Sequence, residues 1–331
     1  VLPPANLVFL VDVSGSMSDN DKLPLVKSSL KMLTKQLRSQ DTISIVTYAG
    51  RTQVTLPATK GSDTDKISAA IDSLDASGST NGEAAIKLAY QQAKIHYKKD
   101  GINRILMMTD GDFNVGVSDV DEMLDIIRRE RDSGVSLSTF GFGEGNLNDH
   151  MMEQVADNGN GNYSYIDSLS EVKKALVDEM SATFNTVAKD VKVQVEFNPQ
   201  TVKEWRLIGY ENRVLAKEDF NNDKVDAGEL GAGKSVVALF EVTPVGQQGW
   251  LDDSRYQAYP INHTGKNTEL GFLKLRYKAP NSNSSTLLTL SISNQTQQPS
   301  SELAFALSVA SFGETLKQSK YLGNWQLNDS K

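Results

Sequence analysis

Apolar positions recur along this chain in two rhythms, and the change between them falls near Asn185. Before that point, short continuous apolar runs alternate with longer stretches whose apolar residues return every three or four positions. A continuous run bounded by small polar residues reads as a strand buried on both faces, and the longer spacing reads as an amphipathic helix. Strands are predicted at Leu7–Val11, Thr42–Tyr48, Ile105–Thr109, Val135–Phe142 and Asn162–Ile166. Helices are predicted over Asp21–Arg38, Asp63–Leu74, Gly82–Tyr97, Val120–Asp132, Leu147–Ala156 and Leu169–Phe184. Pro24 falls in the first turn of the first helix, where its missing N–H costs nothing. Arg51–Leu56 alternates polar with apolar, as an antiparallel edge partner would. Strands and helices in this alternation predict an α/β fold, a doubly wound and mainly parallel sheet with helices on both faces.

After Asn185 the period shortens to two. Val191–Phe197, Trp205–Tyr210, Ser235–Val242, Leu270–Tyr277 and Leu287–Ser293 alternate like half-buried strands, with Gly, Asn, Pro and Asp clustered between them. A β-rich, sandwich-like domain of five or six strands is predicted there. Gln295–Ser301 reads as a polar connector and Glu302–Leu316 as a closing helix. Leu303, Ala306, Leu307, Ala310 and Leu316 are expected on its buried side, packed closely against the β domain. The two rhythms divide the chain into domains 1–186 and 187–331.

The length of 331 residues agrees with two cores. A net charge of −8 and the lack of any long basic run disfavour a nucleic-acid partner. The absence of Cys excludes disulfides, thiolate catalysis and Cys-zinc sites. No apolar run is long enough to span a bilayer, so no transmembrane segment is expected. The chain starts Val1-Leu2-Pro3-Pro4 directly before the first strand, without a signal peptide, and so reads as a trimmed or mature fragment.

Candidate chemistry gathers where strands end. The first strand runs into Asp12-Val13-Ser14-Gly15-Ser16, which places one carboxylate and two hydroxyls at alternate positions. Oxygen donors of this kind suit a hard divalent cation, Mg²⁺ above all. The same residues also serve as ordinary caps of a following helix. A second strand ends in Thr109-Asp110-Gly111, and the small-residue loop Ser77-Gly78-Ser79-Thr80-Asn81-Gly82 precedes a helix between the two. Open α/β sheets present ligand residues at the carboxyl ends of their strands.

Asp-x-Ser-x-Ser, a distant Thr in a Gly-Ser-Thr-Asn loop, and Thr-Asp-Gly after a strand resemble the metal-ion-dependent adhesion site of von Willebrand factor type A domains, whose fold is Rossmann-like. The resemblance covers residues 1 to about 186 and implies a five-part metal site at Asp12, Ser14, Ser16, Thr80 and Asp110. It implies Mg²⁺, or Ca²⁺ or Mn²⁺ in the same place, and a protein partner presenting an Asp or Glu. The expected role is therefore a cation-dependent, adhesion-type binding module rather than an enzyme. The whole layout is similar to bacterial cell-envelope A-domain proteins and, distantly, to inter-alpha-trypsin inhibitor heavy chains. That similarity implies a periplasmic or extracellular location, and Gly209–Arg213 and the acidic loop after it look like features of the bacterial group. Asp112 and Asn114 are candidates to tune the site or touch the partner. Two other readings stand beside this one, an envelope scaffold with a structural metal and a metal-dependent hydrolase.

Remaining motifs carry less. Asp219, Asn221 and Asp223 are spaced like the start of a calcium loop. Lys224 and Leu230 stand where an EF-hand needs Gly and Glu, so the stretch reads as a solvated turn. Gly141–Gly145 has the wrong spacing for a dinucleotide loop and more simply lets the strand end turn near the first loop. Gly231–Ser235 lacks the first Walker glycine and precedes a strand. His96, His150 and His263 lie far apart and read as surface residues. An aspartyl-phosphate nucleophile would need Asp where Ser14 stands. Asn262, Asn283 and Asn294 open glycosylation triplets that matter only in a glycosylating secretory route.

Overall fold

The structure is a computed structural model that describes residues 3–80, 82–111, 120–144, 148–178, 186–209, 220–223, 227–231, 234–250, 268–279 and 282–322. Asp112, Asn114, Gly145, 210–219, 224–226, 232–233, Asn262 and His263 lie outside the described residues. The chain forms two compact units, Val1–Asn185 and Thr186–Lys331.

The first unit is a six-stranded sheet in the order β3-β2-β1-β4-β5-β6. Its strands are β1 (Ala5–Asp12), β2 (Thr42–Tyr48), β3 (Thr52–Lys60), β4 (Ile102–Thr109), β5 (Ser136–Phe142) and β6 (Tyr163–Ile166). All pairs are parallel except β2 with β3, the antiparallel edge that the alternation predicts. Every residue of β1 is buried, because the strand is paired on both sides and covered on both faces. Leu7, Phe9 and Val11 face a core built with α1 (Leu23–Thr34), α2 (Thr64–Asp72) and the last helix of the unit. Val8 and Leu10 face the opposite core, with α3 (Gly82–Ile95), α4 (Val120–Arg131) and α5 (Asp149–Asn158). The period-two pleat sends successive side chains to opposite faces, which explains why the run is apolar without a break.

The last helix differs from expectation. Regular α-helix covers α6 (Leu169–Val172) and then widens into π-type turns over Lys173–Asp178. The apolar spacing carries no sign of this change, since Val172, Ala175 and Leu176 reach the core while Lys173 and Lys174 stay exposed, as on an α-helix. The rest of the predicted span, 179–184, lies outside the described residues.

The second unit has two antiparallel sheets. One pairs β8 (Val202–Ile208) with β10 (Leu239–Pro244). The other runs in the order β12-β11-β7-β9, with β7 (Thr186–Phe197), β9 (Gly228–Gly231), β11 (Glu269–Lys278) and β12 (Ser285–Ser293). Phe197 of one sheet meets Trp205 and Phe240 of the other, with ring centroids 5.2 and 5.4 Å apart. This is the sandwich contact. Strand β9 is unforeseen, and the stretch expected to begin at Ser235 becomes extended sheet only at Leu239. The closing helix, α7 (Ser301–Leu316), is capped by the Ser300 hydroxyl, which accepts from the Leu303 amide at 3.2 Å.

Its expected buried side does not materialise. No residue of α7 is buried, and Phe305 is 71% exposed. Of the residues expected on the buried side, Ala306 and Ala310 are half-buried while Leu303, Leu307 and Leu316 are exposed, so the small residues rather than the leucines are the more covered ones. Glu314 on this helix pairs with the Arg206 guanidinium at 3.1 Å.

Candidate functional site

Strands β1 and β4 are neighbours, and chain connections leave them toward opposite edges of the sheet. Their carboxyl ends therefore form the switch point of the sheet, where open α/β folds hold ligands. The register pairs Val11 with Met108, which sets Asp12 beside Thr109. The Thr109 hydroxyl donates to Asp12 Oδ2 at 2.9 Å, and the Ser14 amide donates to Asp12 Oδ1 at 2.9 Å. Gly111 N donates in turn to the Thr109 hydroxyl at 3.0 Å, tying the two loops together.

After Asp12 the chain bends into a short 3-10 turn over Gly15–Ser18. That bend turns Ser14 and Ser16 toward one another, with their hydroxyl oxygens 3.0 Å apart. The small-residue loop is held alongside by two backbone bonds, Ser77 N to Val13 O at 2.8 Å and Gly15 N to Gly78 O at 3.0 Å. Gly78 adopts φ +82°, a left-handed conformation that glycine tolerates freely. These bonds hold the loop that leads to the buried Thr80 against the Val13–Gly15 segment.

Asp12, Ser14, Thr80 and Asp110 are buried, whereas Ser16 is exposed. Burial pushes the Asp12 carboxyl from 3.8 up to about 6, against the hydrogen bonds from Ser14 and Thr109, and the negative charge of Asp110 adds to the rise. Tyr48, fully enclosed next to this pair, has its phenol pushed upward by burial and by the Asp12 charge. Lys22 brings the opposite charge. Its ammonium lies 3.2 Å from Asp110 Oδ2 and donates to the Ser16 carbonyl at 3.0 Å.

Sequence reasoning finds the oxygen donors but not Lys22, Thr109 or Tyr48. Thr109 carries a signal, since it ends a predicted strand directly before Asp110. Lys22 carries none, because its place depends on a contact with the distant Gly143.

Among the described residues, no three His, Cys, Asp or Glu side chains cluster as a metal cage. The donor set at the switch point is instead two carboxylates with hydroxyls. Such a set fits a hard cation that keeps some of its water, and the raised proton affinity of the buried Asp12 carboxylate is a cost that such a cation would relieve. Should an ion bind there, Asp12, Ser14, Ser16, Thr80 and Asp110 are the residues to hold it.

Residues 6–179 match the family described as von Willebrand factor type A domain. The chain belongs to this family. Beyond the A domain, residues 182–331 match a family described as "Uncharacterized protein YfbK, C-terminal". Over 328 residues the chain is 52% identical to "Uncharacterized protein YfbK" of Escherichia coli K12, covering 98% of this chain and 57% of that protein. The chain thus spans little more than half the length of this relative. It is 24% identical over 257 residues to human inter-alpha-trypsin inhibitor heavy chain H3, covering 72% of this chain and 28% of that one. Among solved structures, a von Willebrand factor type A protein from Catenulispora acidiphila aligns with a TM-score of 0.55 at 13% identity. It covers 95% of this chain and 73% of that one, and shows a shared fold.

The acidic loop of the second unit is bound by the protein's own cations. Arg276 donates to Asn221 Oδ1 at 3.3 Å and lies 3.7 Å from Asp223 Oδ1. Lys278 donates to the Asp223 carbonyl at 2.7 Å, and Lys192 to the Asn222 carbonyl. Phe220, buried beneath the Arg276 guanidinium, fixes the start of the turn. His96 and His150 are exposed. Among the described residues, no helix is long and apolar enough to cross a membrane.

Proposed function

We propose that this protein is a divalent-cation-dependent binding module whose A domain captures an acidic side chain of a partner protein. One observation carries the reading. Asp12, Ser14, Ser16 and Asp110, from strand ends about a hundred residues apart, lie around one sheet edge with their oxygens oriented by hydrogen bonds. A Mg²⁺ ion held there would offer a replaceable coordination position, and a carboxylate from another protein is its natural occupant.

The chain's own groups suit that task. Thr109 and the Ser14 amide fix the Asp12 carboxylate before any ion arrives, so little ordering remains for binding. Three of the five donors are neutral hydroxyls, which leaves an ion electron-poor toward an incoming anion. Among the described residues, the side-chain hydrogen bonds of Asp12, Ser14 and Ser16 run to Thr109, to the Ser14 amide and between the two serines, with no histidine in them, which favours binding over hydrolysis. The resemblance to bacterial envelope A-domain proteins is the ground for assigning the module to the cell envelope, periplasmic or extracellular.

The test is capture of envelope proteins on the immobilised chain with Mg²⁺ and again with EDTA. Capture should require the ion and vanish in Asp12→Ala and Asp110→Ala, both retaining native circular dichroism. Undiminished capture in EDTA would reject the reading.

A further inference from the structure

Lys22 occupies an unusual position for a lysine. It precedes α1 in a non-helical conformation, φ −114° and ψ −111°, and its side chain is only 13% exposed. The stem lies on Gly143, in the loop after β5. A Cβ added to Gly143 would meet Lys22 Cε at 2.4 Å and Cγ at 2.8 Å. Gly143 also adopts φ +87°, so the absence of a side chain serves both the turn and the lysine that crosses it. Beside it, the Glu144 amide donates to Asp21 Oδ2 at 3.3 Å, which holds the same loop against the segment that carries Lys22.

At the end of this stem, the ammonium meets Asp110 Oδ2 at 3.2 Å and the Ser16 carbonyl at 3.0 Å, with Asp19 Oδ2 at 3.9 Å. Its charge thus sits between the second carboxylate of the candidate site and the loop that carries the serines. Two cations cannot share one carboxylate edge in a poorly solvated place without strong repulsion.

We propose that Lys22 is a tethered counter-ion that a divalent cation must displace from Asp110, so that Lys22 and its Gly143 seat set the cation affinity of the site. This rests on the reading that the site binds a divalent ion. The ammonium keeps Asp110 compensated while no ion is bound and weakens binding until the ion concentration is high enough to expel it. Once expelled, the flexible stem leaves the charge at the rim, where an incoming carboxylate would meet it.

The experiment is Mg²⁺ titration of the whole chain by calorimetry, with the melting temperature followed in parallel. Lys22→Met keeps the stem and removes the charge, and should tighten Mg²⁺ binding about tenfold or more. Gly143→Ala leaves the charge in place but fills the seat, and should tighten binding in the same direction. In the double variant, Gly143→Ala should add nothing to Lys22→Met. An unchanged or weaker Kd in Lys22→Met overturns the proposal. Tightening by Lys22→Met but not by Gly143→Ala also overturns it, because general charge repulsion would then suffice. If neither the natural chain nor Lys22→Met takes up Mg²⁺, the metal reading itself fails, a result distinct from the others.

Discussion

Asp12 is a carboxylate that folding removes from water, and the cost of that removal is legible in its proton affinity. Burial raises it from 3.8 to about 6, so between these values the folded chain holds a proton that the unfolded chain has released. Stability from this group is therefore greatest below about pH 4, falls as pH rises toward 6, and is flat above; the full drop is roughly 3 kcal/mol at most. Asp12→Asn removes the charge and keeps an oxygen to accept from the Ser14 amide. Without divalent ions it should be more stable than the natural chain near neutral pH, with the gap closing toward pH 4 in denaturant titrations. Added Mg²⁺ should narrow the gap at neutral pH by stabilising only the natural chain. Equal stabilities at both pH values would show that burial does not perturb this group. The proposed donors were candidates in sequence because each stands at the end of an apolar run or in a small-residue loop, and the structure brings Asp12, Ser14, Ser16 and Asp110 to one sheet edge. Lys22 was not, since a lysine before a helix looks the same whether it faces solvent or a glycine more than a hundred positions away.

Among the elements, the junction of α1 with β1 has its own clamp. Asp41 accepts from the Ala5 amide at 2.9 Å, from the Arg38 amide at 2.7 Å, and from the Arg38 guanidinium at 3.0 and 2.8 Å. Burial alone would raise the Asp41 carboxyl, but Arg38 and the two amides together hold it below 3.8. Its contribution is thus present at neutral pH and lost in strong acid. Asp41→Ala should cost about 2–3 kcal/mol at neutral pH, less than a fully enclosed pair because the Arg38 side chain is 31% exposed. Hydrogen exchange at the Ala5 amide should accelerate in the variant, and an unchanged rate would count against the clamp. Element types were legible wherever the apolar rhythm persisted, as in β2, whose predicted span is the observed one. They were illegible where the rhythm is the same for two structures, as at Lys173–Asp178, whereas α7 was legible as a helix and only its covered side was not. Strand β9 escaped notice because Gly228-Glu229-Leu230-Gly231 has almost no side-chain pattern, and only its pairing with β7 makes it a strand.

At the level of the molecule, the two sequence rhythms correspond to two compact units, and the candidate site lies wholly within the first. The central place of β1 has a kinetic consequence. Asn6 of β1 bonds to Asn103 of β4, 97 positions away, so the sheet edge bearing Asp12 and Asp110 exists only after a very long loop has closed. An ion gathered by that edge meets a nearly finished domain and has nothing to organise earlier. In stopped-flow measurements Mg²⁺ should slow the unfolding limb and leave refolding unchanged, which makes the ion a latch on the completed sheet rather than a seed for its assembly.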